Sequence, residues 1–355
     1  MKEDLDFGNV NPIFVQIEQG RKSPFGDLLR NITQRIYDDP YLNFMSALGP
    51  SREFLHSTLY ELHRDRNRKY FKNFFVDEEL YSIVKSNIEW AYQIWSENPK
   101  KYVKVTITRR GIIVYDNYQP NAFNMLMFTI HSGTWMRKAI GRKQTVDKFE
   151  RYLEEDVETH QVYGELVLRH GGILIDNKTS RFECDYNRQY ERAIYSNYSE
   201  PWILDLWKEK LTDNERKWIL EGYKEFYYTL KSLIENYRFN IIFDSHSMKD
   251  GKKRPDISFG TKHIPYFYLP IVHSLRKNFI KMGYEKADFN KPFGGGHILN
   301  WLSGKFPDVF TLSMEVNKKL YMTSDRRSIL KSKLKKLSSQ ITNTFSEQNG
   351  AYLAP

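Results

Sequence analysis

Two histidines, His131 and His246, each follow an apolar run, residues 124–130 and 240–243, with the composition of a buried strand. Ligand sites in open α/β sheets gather at the carboxyl ends of strands. Two imidazoles delivered there, joined by one carboxylate, are a common ligand set for a catalytic zinc, which keeps one position for water. The nearest acidic cluster after His131 is Glu154-Glu155-Asp156. Read as one helix, residues 147–170 present Phe149, Leu153 and Val157 as an inward stripe, and Asp156 lies next to it. Asp156 is therefore the expected third ligand, with Glu155 as the alternative.

Three further segments carry chemistry. Asn187-Arg188 offers an amide beside a planar guanidinium, which suits bidentate hydrogen bonding to a carboxylate. Glu315 sits in an otherwise apolar strand-like run, where a carboxylate is costly unless it is paired, metal-bound or catalytic. Beside a zinc-bound water it would have a task as proton acceptor. Lys291-Pro292-Phe293-Gly294-Gly295-Gly296 is a loop whose glycines, Gly295 and Gly296 among them, let backbone approach a ligand. No lysine and serine follow the glycines as in a phosphate-binding loop. Ser132 and Ser247 flank the histidines but lack a Gly-x-Ser-x-Gly elbow, so serine catalysis is set aside. Cys184 falls in residues 182–186, read as a short strand, where a small buried hydrophobe is its expected role.

The elements that must position these residues change character along the chain. Residues 1–100 read as mostly helical, with an N-cap at Asp77 and apolar residues at helical spacing to Trp95. Residues 102–108 and 112–115 alternate like a hairpin about Arg110-Gly111. From about residue 120 strands and helices alternate. The strands are residues 124–130, 173–175, 182–186, 240–243 and 309–316, and the helices are 147–170, 207–237, the later half of 266–282, and a basic amphipathic 325–341. This alternation predicts an α/β fold, a three-layer sandwich about a mixed central sheet. The expected divisions are a mainly helical N-terminal extension at 1–115, a hydrolase core at 116–324, and a basic helix and tail at 325–355.

Composition narrows the class. The 355 residues are 40% hydrophobic, enough for a large core, and the longest apolar stretch, residues 123–130, is too short to span a bilayer. The acidic N-terminus lacks the features of a secretory signal, and a single cysteine suits a reducing compartment, so the expected location is the cytoplasm. The net charge of +10 comes with no nucleic-acid-binding motif; it would also draw in a small anionic substrate.

In this order, His131-Ser132-Gly133, Glu155-Asp156, Ser180-Arg181 through Asp185-Tyr186-Asn187-Arg188, Asp244-Ser245-His246-Ser247-Met248, Phe259-Gly260-Thr261, Pro292-Phe293-Gly294-Gly295-Gly296 and Met314-Glu315-Val316-Asn317 with Leu320-Tyr321-Met322 resemble the N-formylglutamate amidohydrolase family. The resemblance spans about residues 125 to 322. The proline that often precedes the family's first histidine is Ile130 here. The resemblance implies a fold shared with zinc carboxypeptidases and aspartoacylase-like deacylases. It implies zinc on His131, His246 and an acidic residue near Asp156, a carboxylate clamp of Arg188 with Asn187, and Glu315 as general base. The expected reaction is hydrolysis of an amide in an N-acyl amino acid, formylglutamate being the type, or at a peptide terminus. A peptidase or peptide-modifying enzyme of the same fold, or a non-catalytic binding protein using its basic surface, are the alternatives.

Overall fold

The computed structural model describes residues 77–349, apart from 97–103, 109, 121, 198–204 and 326, together with the short segments 14–19, 32–37 and 55–56. Among the described residues, eleven strands form one sheet. They are β1 (Phe14–Gln19), β2 (Ile32–Tyr37), β3 (Leu55–His56), β4 (Lys104–Thr108), β5 (Ile112–Asn117), β6 (Met125–Thr129), β7 (Gly172–Asn177), β8 (Ile241–Met248), β9 (Ile257–Gly260), β10 (Ala287–Phe289) and β11 (Thr311–Asn317). Their order is β10-β9-β11-β8-β6-β7-β5-β4-β1-β2-β3. The centre, β11-β8-β6-β7, is parallel, whereas β9 against β11 and β5 against β7 are antiparallel, so the sheet is mixed.

Successive residues of a strand point to opposite faces. Met125 and Met127 of β6 enter one core, and Leu126 and Phe128 enter the other. The first core is covered by α1 (Glu78–Ser96), α4 (Thr159–His170), α6 (Leu269–Lys281) and α8 (Lys331–Asn349); the second by α5 (Asp213–Asn236) and α7 (His297–Lys305). Two short helices, α2 (Lys138–Gly141) and α3 (Lys148–Glu154), fill the connection after β6. The result is the three-layer α/β sandwich expected from the alternation. Hairpin β4–β5 and helix α8 are built into the same sheet and core as residues 116–324. The expected N-terminal extension lies mostly outside the described residues; those described there form α1, strands β1 to β4 and the first part of β5.

Four local expectations are corrected. Residues 147–170 are not one helix. Helix α3, closed at its start by a reciprocal capping box between Asp147 and Glu150, ends at Glu154, and α4 begins at Thr159. Between them Glu155 is extended and Glu158 is left-handed, with φ at 61°. The stripe that singled out Asp156 therefore does not exist, and Phe149 is 39% exposed. Residues 182–186 form turns rather than a strand, with the amides of Glu183 and Cys184 bonded back to the Ser180 carbonyl. The long helix begins at Asp213, not 207, because Thr212 and Glu215 make a second capping box there. Finally, β8 continues past the apolar run, so His246 lies inside the strand and not beyond its end. Cys184 is buried and free, as expected.

Candidate metal centre

The break between α3 and α4 makes the site. The Asp156 amide donates to the carbonyl of His131 at 2.9 Å, joining the broken helix to the loop that leaves β6. The Asp156 carboxylate oxygen Oδ2 then lies 2.9 Å from Nδ1 of His246 and 3.6 Å from Nδ1 of His131. The two imidazole centroids are 5.0 Å apart. One donor atom from each of the three side chains falls within 4.8 Å of the others, and all three residues are buried. Glu155, the alternative ligand, turns away: it accepts from the Ser180 hydroxyl and faces Arg151 at 3.8 Å. Burial pushes its carboxyl up to about 7 against the opposing pull of Ser180, Arg151 and Lys318. Buried Lys318 holds the break itself, donating to the carbonyls of Leu153 and Glu155.

Each imidazole has a carboxylate behind it, hydrogen-bonded in the case of His131 and only close by in the case of His246. Nε2 of His131 is 2.7 Å from Oδ1 of Asp185, and Nε2 of His246 is 2.8 Å from Oδ1 of Asp244, though without hydrogen-bond alignment. A carboxylate on the far nitrogen fixes the tautomer and ring orientation of a metal-ligating histidine. Asp244 stands two residues before His246, on the same face of β8. Asp185 is itself anchored by Arg181 at 3.0 Å and by the Tyr195 hydroxyl. Burial alone would raise Asp185, but His131 and Arg181 hold it well below the usual carboxylate range. Asp156 behaves likewise, with hydrogen bonds from His131 and His246 outweighing burial.

Glu315 is the register partner of His246 on the neighbouring parallel strand β11. Burial raises its carboxyl to about 7; His246 opposes this, while Asp156 and Asp244 add to it. Asp156, Asp185, Asp244 and Glu315 are thus four buried carboxylates around two imidazoles and Arg181. Both oxygens of Asp244 and Nε2 of His246 lack hydrogen-bond partners in this cluster. A surplus of buried anionic oxygen with nitrogen donors at ligand spacing fits a divalent cation, which would satisfy charge that protein groups leave unpaired.

The cluster floors a cavity of about 790 Å3. Asn187 and Arg188 form part of its wall beside Asp185, with the Asn187 amide on Asp185 Oδ1 at 2.9 Å and Arg188 Nε 3.8 Å from Oδ2. Asn187 also caps α7, its Oδ1 accepting from the Ile298 amide at 3.1 Å. Gly295 and Gly296 line the same cavity. A Cβ on Gly296 would sit 2.1 Å from Asn187 Oδ1, so a glycine is needed there for close approach; Gly295 takes φ of 124°, a conformation that favours glycine. The residues picked out in the sequence, His131, Asp156, His246, Glu315, Asn187, Arg188, Gly295 and Gly296, therefore meet at one cavity. The sequence alone assigns no role to Asp185, Asp244 or Lys318. Of these only Asp244 carried a local signal, its place two residues before a strand histidine.

A family model described as N-formylglutamate amidohydrolase matches residues 123–322, more than half of the chain, and the matched segment contains the whole cluster. The chain belongs to the N-formylglutamate amidohydrolase family. An N-formylglutamate amidohydrolase from Ralstonia eutropha shares its fold, with a TM-score of 0.52 at 17% identity over 66% of this chain and 97% of that one. A gene product from Agrobacterium tumefaciens aligns with a TM-score of 0.46 at 12% identity, covering 64% of this chain and 91% of the other. A metallo-carboxypeptidase from Pseudomonas aeruginosa scores 0.34 at 12% identity, covering 68% and 61%. No curated protein matches the chain. Membership in this amidohydrolase family makes the protein a hydrolase by class. Among the described residues, no helix is long and apolar enough to cross a membrane.

Proposed function

We propose that the protein is a zinc-dependent amidohydrolase that cleaves the amide of an N-acyl amino acid, with formylglutamate as the model substrate. His131, Asp156 and His246 would hold the ion. A divalent ion bound there supplies Lewis acidity and brings the pKa of water toward neutrality. Glu315 accepts the proton of the attacking water and passes it to the leaving amine, as its position beside His246 on β11 allows. Arg188 and the Nδ2 of Asn187 grip a substrate carboxylate, and the backbone at Gly295 and Gly296 gives the substrate room along the opposite wall. Holding the carboxylate fixes the scissile bond over the ligand cluster, which converts binding into orientation.

The observation that carries this reading is the convergence of His131, Asp156 and His246, each imidazole backed by its own carboxylate. A cavity of about 790 Å3 is roomy for one small amino acid, which favours a peptide terminus as the second reading. The buried single cysteine fits a cytoplasmic setting. Incubating the zinc-loaded protein with N-formyl, N-acetyl and longer N-acyl amino acids, and with blocked peptides, tests the proposal. Release of free amino acid from at least one carboxylate-bearing substrate is the expected result. No turnover across the panel by metal-replete protein contradicts it.

A further inference from the structure

Helix α1 lies outside the segment matched by the family, residues 123–322, yet it contacts the loop that carries His131 and the segment after β7 that packs against this loop. At its start, Asp77 caps the helix by accepting from the Leu80 amide at 2.9 Å. The same carboxylate accepts from the indole Nε1 of Trp135 at 3.0 and 3.1 Å, four residues past His131. In its middle, Asn87 accepts through Oδ1 from Nζ of Lys178 at 3.0 Å, while its own Nδ2 donates to the Ile83 carbonyl.

Lys178 is a buried cation, 2% exposed, and its arrangement leads back to His131. Its ammonium pairs with Oδ2 of Asp176 at 2.5 Å. Oδ1 of Asp176 in turn accepts from the hydroxyls of Ser132 and Thr129, both at 2.7 Å. Ser132 is the residue next to His131, and Thr129 ends β6. The backbone repeats the link: Trp135 donates to the Lys178 carbonyl at 3.0 Å, and Ser180 donates to the Trp135 carbonyl at 2.7 Å. The fit is tight, since a Cβ on Gly133 would fall 2.2 Å from the Lys178 carbonyl carbon. A buried charge of this kind is tolerated only with its partners in place, and removing one leaves the rest free to rearrange.

We propose that α1 is part of the scaffold of the site, with Asn87 a positioning residue that sets the His131 loop through Lys178, Asp176 and Ser132. Residues 123–322 alone would then carry the ligands without fixing the first of them. The proposal rests on His131 serving the cluster, but the position of its loop can be read without any metal.

The test uses the full chain with three substitutions on α1. Asn87→Ala removes the acceptor from Lys178; Asn87→Asp keeps an oxygen there; Val84→Ala removes apolar volume from the same buried helix face and leaves the lysine contact intact. Hydrogen exchange in metal-free protein is followed over peptides spanning residues 131–136 and 178–180, and zinc affinity is measured by chelator competition. Asn87→Ala should speed exchange in both peptides well beyond Val84→Ala and weaken zinc binding about tenfold, the scale set by groups that orient metal ligands. Asn87→Asp should restore both. Exchange and zinc affinity in Asn87→Ala that match Val84→Ala would overturn the proposal. If the unsubstituted protein binds no zinc, the metal reading falls and exchange alone decides the role of Asn87.

Discussion

Glu315 and His246 are register partners on adjacent parallel strands, which places a buried carboxylate beside a buried imidazole at the floor of one cavity. Strand neighbours are about 4.8 Å apart, so the two side chains share a surface without either needing a flexible loop. The roles proposed for this pair, His246 as ligand and Glu315 as base, can be separated by mutation.

Glu315→Gln keeps the size of the side chain and removes its ability to take a proton. Zinc content and stability should stay close to those of the unsubstituted protein, while kcat falls by about 100- to 10,000-fold, the range for a general base. Steady-state kinetics beside metal analysis on the same sample provide the check. Turnover within a few-fold of the parent enzyme would remove Glu315 from the mechanism.

Arg188 tests the carboxylate clamp. Replacing it with alanine removes a charge-assisted hydrogen bond of about 1.5–3 kcal/mol, or roughly 10- to 100-fold in kcat/KM. The loss should be much smaller when the substrate carboxylate is converted to an amide, because a neutral amide oxygen accepts only a weaker, uncharged hydrogen bond from the guanidinium. Equal losses on the acid and the amide would mean that Arg188 acts on the fold through Asp185 instead.

Gly296→Ala probes the close approach of the glycine loop to Asn187. The backbone there, with φ of −97°, accepts an alanine, but the new methyl would lie 2.1 Å from Asn187 Oδ1. Asn187 must move, and with it the cap on the Ile298 amide. We expect a destabilisation of about 1–3 kcal/mol, as for overpacked sites, together with a raised KM. Thermal unfolding and substrate titration would measure the two effects, and an unchanged KM would mean that Asn187 does not touch substrate.

Much of this was legible in the sequence, for a definable reason. The central strands announce themselves as apolar runs, and His131, His246 and Glu315 stand out as polar residues that such runs deliver or contain. What could not be read was how distant segments answer one another. Asp156 joins the histidines because the chain leaves the helix at Glu155, and that break is held by Lys318 from the far side of the sequence. Periodicity predicts a continuous helix and picks Asp156 from a stripe that the break between α3 and α4 removes. Asp185 behind His131, and Asn87 behind Lys178, are contacts between segments that carry no mutual signature.

The buried His160 gives a prediction about acid stability. Burial first, and then Lys178, lowers its pKa to about 4 from an ordinary value of 6.5, against the weaker pull of Asp176 and Glu158. The folded state therefore binds this proton less readily than the unfolded chain does. Its contribution is complete above pH 6.5 and is lost as pH falls toward 4, on the order of 3 kcal/mol over that window. In denaturant titrations, His160→Gln should show a shallower loss of stability between pH 6.5 and 4 than the parent protein. Parallel curves would place the acid sensitivity elsewhere.

Metal content is the most direct test of the central claim. Elemental analysis of the purified, zinc-reconstituted protein should find about one divalent ion per chain, and His246→Ala should reduce this to a small fraction while the protein remains folded. A folded parent protein that takes up no ion, or a His246→Ala variant that keeps a full equivalent, would contradict the account.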